Sequence, residues 1–167
     1  MLPGGTVDTL VRNAESAKSY GLELSAAFRA TGQLYLTGAL GLLHTEFEEF
    51  TQSTDDLAGN EFAQAPNVTA SIGIDREAVK DLKPGARVRH TGSYFSDDVN
   101  AVNTKVSSFV AVDLSVNYQI NDRARIYAYA NNVFDRLSPT LIFDNGGQLG
   151  AQVTTPREVG LGLELTL

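Results

Sequence analysis

The most regular pattern in the chain is a two-residue alternation of apolar and polar side chains. Apolar residues occupy every even position from Val110 to Ile120, and Ala, Asp, Ser, Asn and Gln occupy the odd positions between them. Only an extended strand places residues with this period on one face, so the pattern predicts a strand with one apolar and one polar face. Asn121-Asp122 predicts a tight reversal through residues that tolerate positive φ, and a β-rich pattern resumes at residues 123–135. The whole stretch predicts a long antiparallel hairpin.

The same alternation recurs elsewhere and predicts further strands at residues 19–29, 34–47, 67–74 and 158–167. Their predicted apolar faces are Tyr20, Leu22, Leu24, Ala26 and Phe28; Leu34, Leu36, Gly38, Leu40 and Leu42; Val68, Ala70, Ile72 and Ile74; and Val159, Leu161, Leu163, Leu165 and Leu167. Another strand is predicted at residues 86–95.

Other segments are less regular. Residues 6–11 form a short β-prone piece, and the polar residues 12–18 predict a turn or loop. Residues 75–82 are compatible with one or two helical turns and equally with a strand that continues into a turn. Lys83-Pro84-Gly85 predicts a turn.

The predicted connections alternate between short and long. Short connections fall at residues 30–33, 83–85 and 121–122, and long connections fall at 50–65, 96–104 and 137–155. Outer-membrane barrels have this arrangement, with tight periplasmic turns and large external loops. The aromatic residues predict two girdles, one beside the short turns and one beside the long loops. These residues are Phe28, Tyr35, Tyr118 and Tyr127 for the first girdle, and Phe47, Tyr94, Phe95 and Phe134 for the second.

Composition is compatible with both a soluble domain and a membrane barrel. The chain of 167 residues is 43% hydrophobic, with a mean hydropathy of -0.11. Polar interior positions and loops give a membrane barrel the same average, and no window approaches the roughly 20 apolar residues of a spanning helix. The first residues, Met-Leu-Pro-Gly-Gly-Thr, lack the basic start and apolar core of a secretory signal, so we expect either a cytosolic protein or a signal carried by a longer chain.

Charge and cysteine content exclude several classes of function. The net charge of -7 and the pI near 4.7 disfavour binding to a nucleic-acid backbone. The chain has no cysteine, which excludes disulfides, thiolate chemistry and cysteine-based zinc sites.

No group of residues has the spacing of a catalytic or metal site. His44 and His90 fall on different predicted strands, with no spacing that suggests a metal site or a general base. Gly160 and Gly162 superficially resemble a glycine-rich dinucleotide-binding loop, but they lie in a terminal strand and precede no helix. Asp55-Asp56 and Asp97-Asp98 on the long loops could bind Ca²⁺ or a cationic ligand, but solvated loop carboxylates are the simpler interpretation. We therefore expect no enzyme, no catalytic residues, no metal and no cofactor.

Four short motifs resemble the C-terminal strands of the TonB-dependent outer-membrane receptors. Asn131-Asn132-Val133-Phe134-Asp135 is similar to the family's Asn-Leu-Phe-Asp signature near the top of the penultimate strand, and Pro156-Arg157 is similar to the opening of its final strand. Gly21-Leu22-Glu23, which follows a segment containing Asn13, resembles a Gly-Val-Glu strand. Ala65-Pro66-Asn67 resembles the Ala-Pro that starts a downward strand. The motifs occur in the family's order.

The resemblance implies an all-β fold, an antiparallel up-and-down transmembrane β-barrel segment of about seven to eight strands from a larger barrel of 22. Residues 1–167 would form a single C-terminal portion of that barrel. The family's plug domain and its motif for the energy-transducing partner cannot fit before Asn13, and Leu167 stands where the family usually ends in an aromatic residue.

The resemblance also implies a function and a location. The family takes up ferric siderophores or other bulky nutrients through the Gram-negative outer membrane. The implied partners are outer-membrane lipid, the remainder of the barrel and its plug, the TonB complex and a small nutrient ligand. The long loops would contribute to ligand capture, although no ligand contact can be assigned. The lumen side would carry Glu23, Arg29, Asp113, Asn117, Glu158 and Glu164.

Two alternatives remain open. One is a self-contained eight-stranded outer-membrane barrel with a structural or adhesion role. The other is a soluble β-sandwich binding protein, whose leucines and valines would fold inward against a second layer. An isolated segment of a larger barrel would not be competent for transport, because unpaired edge amides are costly in lipid.

Overall fold

The computed structural model describes residues 16–52 and 55–166. The β-prone piece predicted at 6–11 and Leu167 lie outside the described residues. Residues 16–18, which we predicted as part of a loop, instead begin the first strand. The extended backbone therefore continues further toward the N-terminus than the polar composition of residues 12–18 suggested, but the apolar alternation does not, since Lys18 lies opposite Glu46 on the side of Tyr20.

Seven strands form one antiparallel sheet, and each strand pairs with its neighbours in the sequence. The strands are β1 (Ser16–Thr31), β2 (Leu34–Glu49), β3 (Val68–Arg76), β4 (Leu82–Thr91), β5 (Phe109–Asn121), β6 (Ala124–Asn131) and β7 (Glu158–Leu165). This is the predicted up-and-down order. Residues 75–82 contain no helix, since β3 continues to Arg76 and the chain then turns.

The tight turns lie close to their predicted positions, with two corrections. The first turn is at Gly32-Gln33, as predicted, but the second is at Lys80-Asp81 rather than at residues 83–85. Pro84 lies inside β4 and faces Val116 of β5. The ladder between β3 and β4 ends at the pair Asp75–Gly85, so residue 84 lies beyond that ladder and its missing N–H removes no bond from it.

The turn between β5 and β6 lies one residue later than predicted, at Asp122-Arg123. Neither Asn121 nor Asp122 has positive φ, so the predicted reason for the turn was wrong. Instead, the backbone N–H of Arg123 donates to the Asn121 side-chain oxygen at 2.9 Å, which closes a turn through the side chain.

The strand register confirms the predicted faces. Leu22 pairs with Leu42, Ile72 with Val88, and Ala128 with Leu161, all on the same side of the sheet. The opposite side carries polar and charged residues on every strand. We call these two sides the apolar face and the polar face.

The apolar face is open rather than packed. Leu24 is 55% exposed, Ile72 is 68% exposed and Leu161 is 78% exposed. Within the described parts of the chain, no second layer covers this face, so the sheet is not half of a β-sandwich. A helix long and apolar enough to cross a membrane is likewise absent from residues 16–52 and 55–166.

Among the described residues, the buried side chains lie at the long-loop end of the sheet. The long connections contain three small strand pairs, Thr51–Gln52 with Asp55–Asp56, Tyr94–Phe95 with Lys105–Val106, and Pro139–Asp144 with Leu149–Val153, together with a 3-10 turn at Val102–Thr104. Phe47, Tyr94 and Val106 are buried there.

The predicted aromatic girdles are only partly correct. Phe28 and Tyr118 lie on the apolar face, whereas Tyr35 and Tyr127 lie on the polar face. In the second predicted girdle, Phe47 and Tyr94 are buried among the loops and cannot face lipid. Sequence position relative to the turns did not reveal which side of the strand each ring occupies.

Candidate functional site

The polar face brings the predicted lumen residues to one side of the sheet. The register places on that side Glu23, Arg29, Asp113, Asn117, Glu158 and Glu164. They are spread over the outer strands and the centre rather than gathered at one point. The polar face therefore carries separate charged groups rather than one cluster.

A bidentate ion pair on the polar face joins β4 to β5. Arg89 Nε lies 2.9 Å from Asp113 Oδ2, and Arg89 Nη2 lies 3.2 Å from Asp113 Oδ1, which is the bidentate geometry of a guanidinium on a carboxylate. The backbone N–H of Asn132 donates to the same Oδ1 at 3.0 Å. Through these hydrogen bonds, Asp113 connects the polar face to the start of the loop after β6.

Two tyrosines of β6 cover two glycines of β7 on the same face. A Cβ atom added at Gly160 would overlap the ring of Tyr129, and one added at Gly162 would overlap the ring of Tyr127. The Tyr129 hydroxyl donates to Glu158 Oε1 at 3.3 Å. Arg125 and Glu164 form an ion pair at the turn end of the same two strands.

The second region consists of the three long loops, residues 50–67, 92–108 and 132–157, which we call the loop layer. Its apolar centre contains Phe50, Leu57 and Phe62, which pack together with Phe47 at the end of β2. The ring of Phe47 lies 4.9 Å from that of Phe50 and 4.7 Å from that of Phe62. These tilted contacts form a small hydrophobic core above the end of β2.

Side-chain hydrogen bonds join the first loop to the second. Asn100 Oδ1 accepts from the backbone N–H of Glu61 at 2.8 Å, and Asn100 Nδ2 donates to the Glu61 carbonyl at 2.8 Å. Asp98 Oδ1 accepts from the N–H of Ala63 at 2.8 Å. Asn100 has φ +57, a conformation that asparagine tolerates better than most residues.

The second loop is joined to the third in the same way. The Tyr94 hydroxyl donates to the Thr140 carbonyl at 2.7 Å, and Ser96 Oγ accepts from the N–H of Ile142 at 2.9 Å. Burial in the loop layer raises the pKa of Tyr94 above its ordinary value, because the anionic form would lose hydration. The three loops therefore form one connected layer.

The two C-terminal sequence motifs meet at the base of the third loop. Asn132 Nδ2 donates to the carbonyls of Arg136 and Thr155, at 3.1 and 2.9 Å. Asp135 Oδ1 accepts from the N–H of Arg157 at 2.7 Å. Asn132 and Asp135 both have positive φ, at +47 and +53. The Asn-Val-Phe-Asp segment thus clamps the loop closed against the Pro-Arg segment that starts β7.

The loop aspartates have structural roles. Asp56 accepts from the N–H of Ala58, Asp97 accepts from the N–H of Ala101, and Asp98 bonds to the first loop as described above. Asp55 and Asp56 are exposed, as expected of solvated carboxylates, whereas Asp97 and Asp98 are half-buried and differ from that expectation. Among the described residues, no three potential metal-ligating side chains come together.

The histidines remain apart. His90 lies on the apolar face between Ala70 and Val110. His44 faces the ring of Tyr20 at 4.8 Å, and its Nε2 lies 3.4 Å from Glu46. This arrangement agrees with ordinary strand positions.

A cavity of about 520 Å³ lies where the polar face meets the third loop. Its floor includes Arg89, Phe109 and Asn131, and its roof includes Arg136 and Thr154. Of the predicted lumen residues, only Glu158 lines it. Sequence reasoning missed Arg89 and Arg136, since the folded path of the third loop brings them together and no local pattern encodes that path.

The family described as TonB dependent receptor-like, β-barrel matches residues 2–133. The chain belongs to this family. Its two-faced meander is therefore part of an outer-membrane β-barrel, with the apolar face toward lipid and the polar face toward the lumen.

Two bacterial outer-membrane relatives are similar to most of this chain. The pesticin receptor of Yersinia pestis is 28% identical over 159 residues, which cover 92% of this chain and 22% of that protein. The iron-regulated outer membrane virulence protein of Vibrio cholerae is 24% identical over 134 residues, 79% of this chain and 20% of that protein. The TonB-dependent receptor segment described here thus spans about a fifth of the length of these relatives.

Solved structures share the fold. The ferric yersiniabactin uptake receptor FyuA from Yersinia pestis superimposes with a TM-score of 0.75 at 25% identity, covering 89% of this chain and 23% of that receptor. The ferric citrate transporter FecA gives a TM-score of 0.77 at 17% identity, covering 89% of this chain and 24% of FecA. The likeness to FecA concerns the fold alone.

Proposed function

We propose that this chain is part of an outer-membrane receptor that takes up ferric siderophores or other bulky nutrients. The observation that carries the proposal is the contrast between the two faces of the sheet. One face exposes leucine, valine and isoleucine across all seven strands, and the other carries charged and polar residues. The family match and the iron-related names of the relatives support uptake of an iron chelate.

The polar face would form part of the lumen wall around a plug, and the loop layer would form part of the outer surface that captures the ligand. The chain would act as one C-terminal portion of the receptor barrel. The remaining strands, the plug and the contact with the TonB complex would come from the rest of the receptor. Receptor function, rather than catalysis, agrees with the names of the relatives.

Closure by other strands follows from the edges of the sheet. In the described sheet, β1 and β7 are the terminal strands. Their outer backbone groups would cost several kcal/mol each if left unpaired in hydrocarbon. The seven strands alone would therefore not transport the ligand.

A chimera tests this proposal. Residues 16–166 would replace the matching segment of the Yersinia pestis ferric yersiniabactin uptake receptor in cells that lack the native receptor. We expect the chimera to reach the outer membrane, to show heat-modifiable gel mobility and to support growth on at least one of a panel of ferric siderophores. The same receptor with the segment deleted is the matched control and should do none of these. A chimera that accumulates as a folded soluble protein would contradict the proposal.

A further inference from the structure

The register between β6 and β7 is underdetermined by the hydrophobic pattern. A shift by one residue would exchange the two faces and is excluded by the pattern. A shift by two residues would keep every face unchanged. On the apolar face, Ala128 would then oppose Val159 or Leu163 instead of Leu161, which are nearly equivalent partners. The connection cannot fix this register as a tight turn does, because residues 132–157 separate the two strands.

The polar face distinguishes the registers. Along β7 it carries Glu158, Gly160, Gly162 and Glu164, and the observed pairs are Tyr129 with Gly160, Tyr127 with Gly162 and Arg125 with Glu164. A shift of two residues in one direction would place Tyr127 opposite Glu164 and leave Arg125 opposite Thr166. The opposite shift would place Tyr129 opposite Glu158 and Arg125 opposite Gly162. Either shift keeps only one ring over a glycine and breaks the ion pair.

The ring positions are sterically specific. Both tyrosine rings occupy the space where a side chain on β7 would stand, so a ring can lie flat across β7 only where that strand has glycine. Aromatic side chains that cover a glycine on a neighbouring strand recover the contact area that the glycine lacks. Both rings are half-buried, which agrees with this packing.

We propose that Tyr127 and Tyr129, seated over Gly162 and Gly160, set the register of the terminal strand. The clamp made by Asn132 and Asp135 holds the beginning of β7, and the tyrosines act in its middle. The register matters for closure because strand stagger and barrel size are linked, so a shift by two residues would displace the free edge of β7 relative to the strand that completes the barrel. Only this consequence for closure rests on the proposed function.

The absence of cysteine in the sequence makes the register measurable by cross-linking. Paired cysteines at Ala128 and Leu161 report the observed register, and pairs at Ala128 with Val159 or with Leu163 report the two shifted registers. A short thiol-to-thiol cross-linker would be applied to outer membranes that contain residues 16–166 within the chimeric receptor, with any cysteine of the recipient part replaced by serine. Only the protease-resistant, heat-modifiable fraction would be analysed, so that unfolded protein does not contribute.

With both tyrosines present, we expect cross-linking mainly between positions 128 and 161, with a low background from the diagonal pairs, which lie further apart. In the variant Y127A/Y129A, the shifted cross-links should rise by about tenfold, because two cross-strand aromatic contacts are lost together. Y127F/Y129F keeps both rings and should keep the observed register, which separates ring packing from the Tyr129 hydroxyl bond to Glu158. L163A is the matched control on the apolar face, tested with the 128/161 and 128/159 pairs, and should not shift the register.

An unchanged pattern in Y127A/Y129A would overturn the inference and assign the register to the loop clamp alone. If the double variant yields no folded fraction, the single variants Y127A and Y129A decide the question, since each leaves one ring in place. A single variant that folds without a rise in the shifted products would likewise contradict the proposal. Failure of the chimera in nutrient uptake would leave this result unaffected, because the cross-links report strand pairing and not transport.

Discussion

The sheet and the loop layer place their apolar residues in opposite ways. On the sheet, Leu24 and Leu161 are 55% and 78% exposed, and the face that carries them is uncovered among the described residues. In the loop layer, Leu57 is 1% exposed and Val106 is fully buried. A soluble domain buries its apolar residues as the loop layer does. The contrast shows that one chain is adapted to two surroundings, hydrocarbon around the strands and water around the loops.

The polar groups follow the same division. On the sheet, backbone groups pair between strands, and the charged side chains stand on the polar face. In the loop layer, side chains such as Asn100 and Asn132 satisfy backbone groups of distant segments. The sheet therefore depends on a repeating ladder, whereas the loop layer depends on a few specific residues.

The largest effect is expected from a charge on the apolar face. Leu24→Arg should lower the free energy of unfolding by about 2–4 kcal/mol, the cost of arginine near the middle of the bilayer. The neighbouring Ser25→Arg is the matched control on the polar face and should change it by less than about 0.5 kcal/mol. Urea titration of the chimeric receptor in lipid bilayers measures both. Equal losses in the two variants would show that the faces do not differ in their surroundings.

The next effect should be confined to the loop layer. Leu57→Ala removes the most buried leucine and should destabilise the loops by roughly 2 kcal/mol, through lost transfer energy and a residual cavity. Proteolysis of the loops in intact cells should become faster, while the heat-modifiable migration of the protein on gels stays unchanged. Val102→Ala, at a position that is 87% exposed, is the control and should have little effect. Loss of the heat-modifiable gel migration in Leu57→Ala would mean that the sheet and the loop layer fold as one unit.

A somewhat smaller effect is expected at the base of the third loop. Asn132→Ala removes the bonds to the carbonyls of Arg136 and Thr155 and should cost about 1–2 kcal/mol, because these partners are left unsatisfied. Hydrogen exchange of residues 133–157 should accelerate. Asn145→Ala at the tip of the same loop is the comparison, since the Asn145 backbone N–H, which the substitution keeps, makes the bond to the Gln148 carbonyl. Unchanged exchange in Asn132→Ala would refute the role of the clamp.

The smallest effect concerns pH. Burial raises the pKa of Tyr94, so its contribution to loop stability is complete below the ordinary tyrosine value of about 10 and is lost as pH rises through the raised value. Tyr94→Phe should lose roughly 0.5–1.5 kcal/mol at neutral pH, because the Thr140 carbonyl loses its donor. The variant should also lose the alkaline decline in loop protection against proteases. An identical decline in both proteins would assign it to another group.

The sequence predicted the sheet well because a strand in contact with lipid on one side must alternate. The faces containing Leu22, Ile72 and Leu161 and the order of the strands were confirmed by the register. The wrong predictions concern tight turns, whose positions were inferred from local composition alone. Lys83-Pro84-Gly85 has the composition of a turn, yet a proline just beyond the end of a ladder is tolerated in a strand.

The loop layer was much less predictable. The lengths of the loops were evident, but the pairing of Asn100 with Glu61 and of Tyr94 with Thr140 depends on segments far apart in sequence. The burial of Phe47 and Tyr94 follows from those contacts and not from their distance to a turn. Similarly, Arg89 and Arg136 meet at one cavity only because the third loop folds back over the sheet.

The most informative measurement determines whether lipid or water surrounds each face of the sheet. Single cysteines would be placed at the neighbouring pairs Leu24 and Ser25, Ile72 and Ser71, and Leu114 and Ser115, in a chain that has no cysteine of its own. Each would carry an environment-sensitive fluorophore in bilayers made with brominated lipid. We predict strong quenching at the three apolar-face positions and weak quenching at the three serine positions. Quenching that fails to alternate between neighbours would contradict the claim that one face meets lipid and the other meets a wet interior.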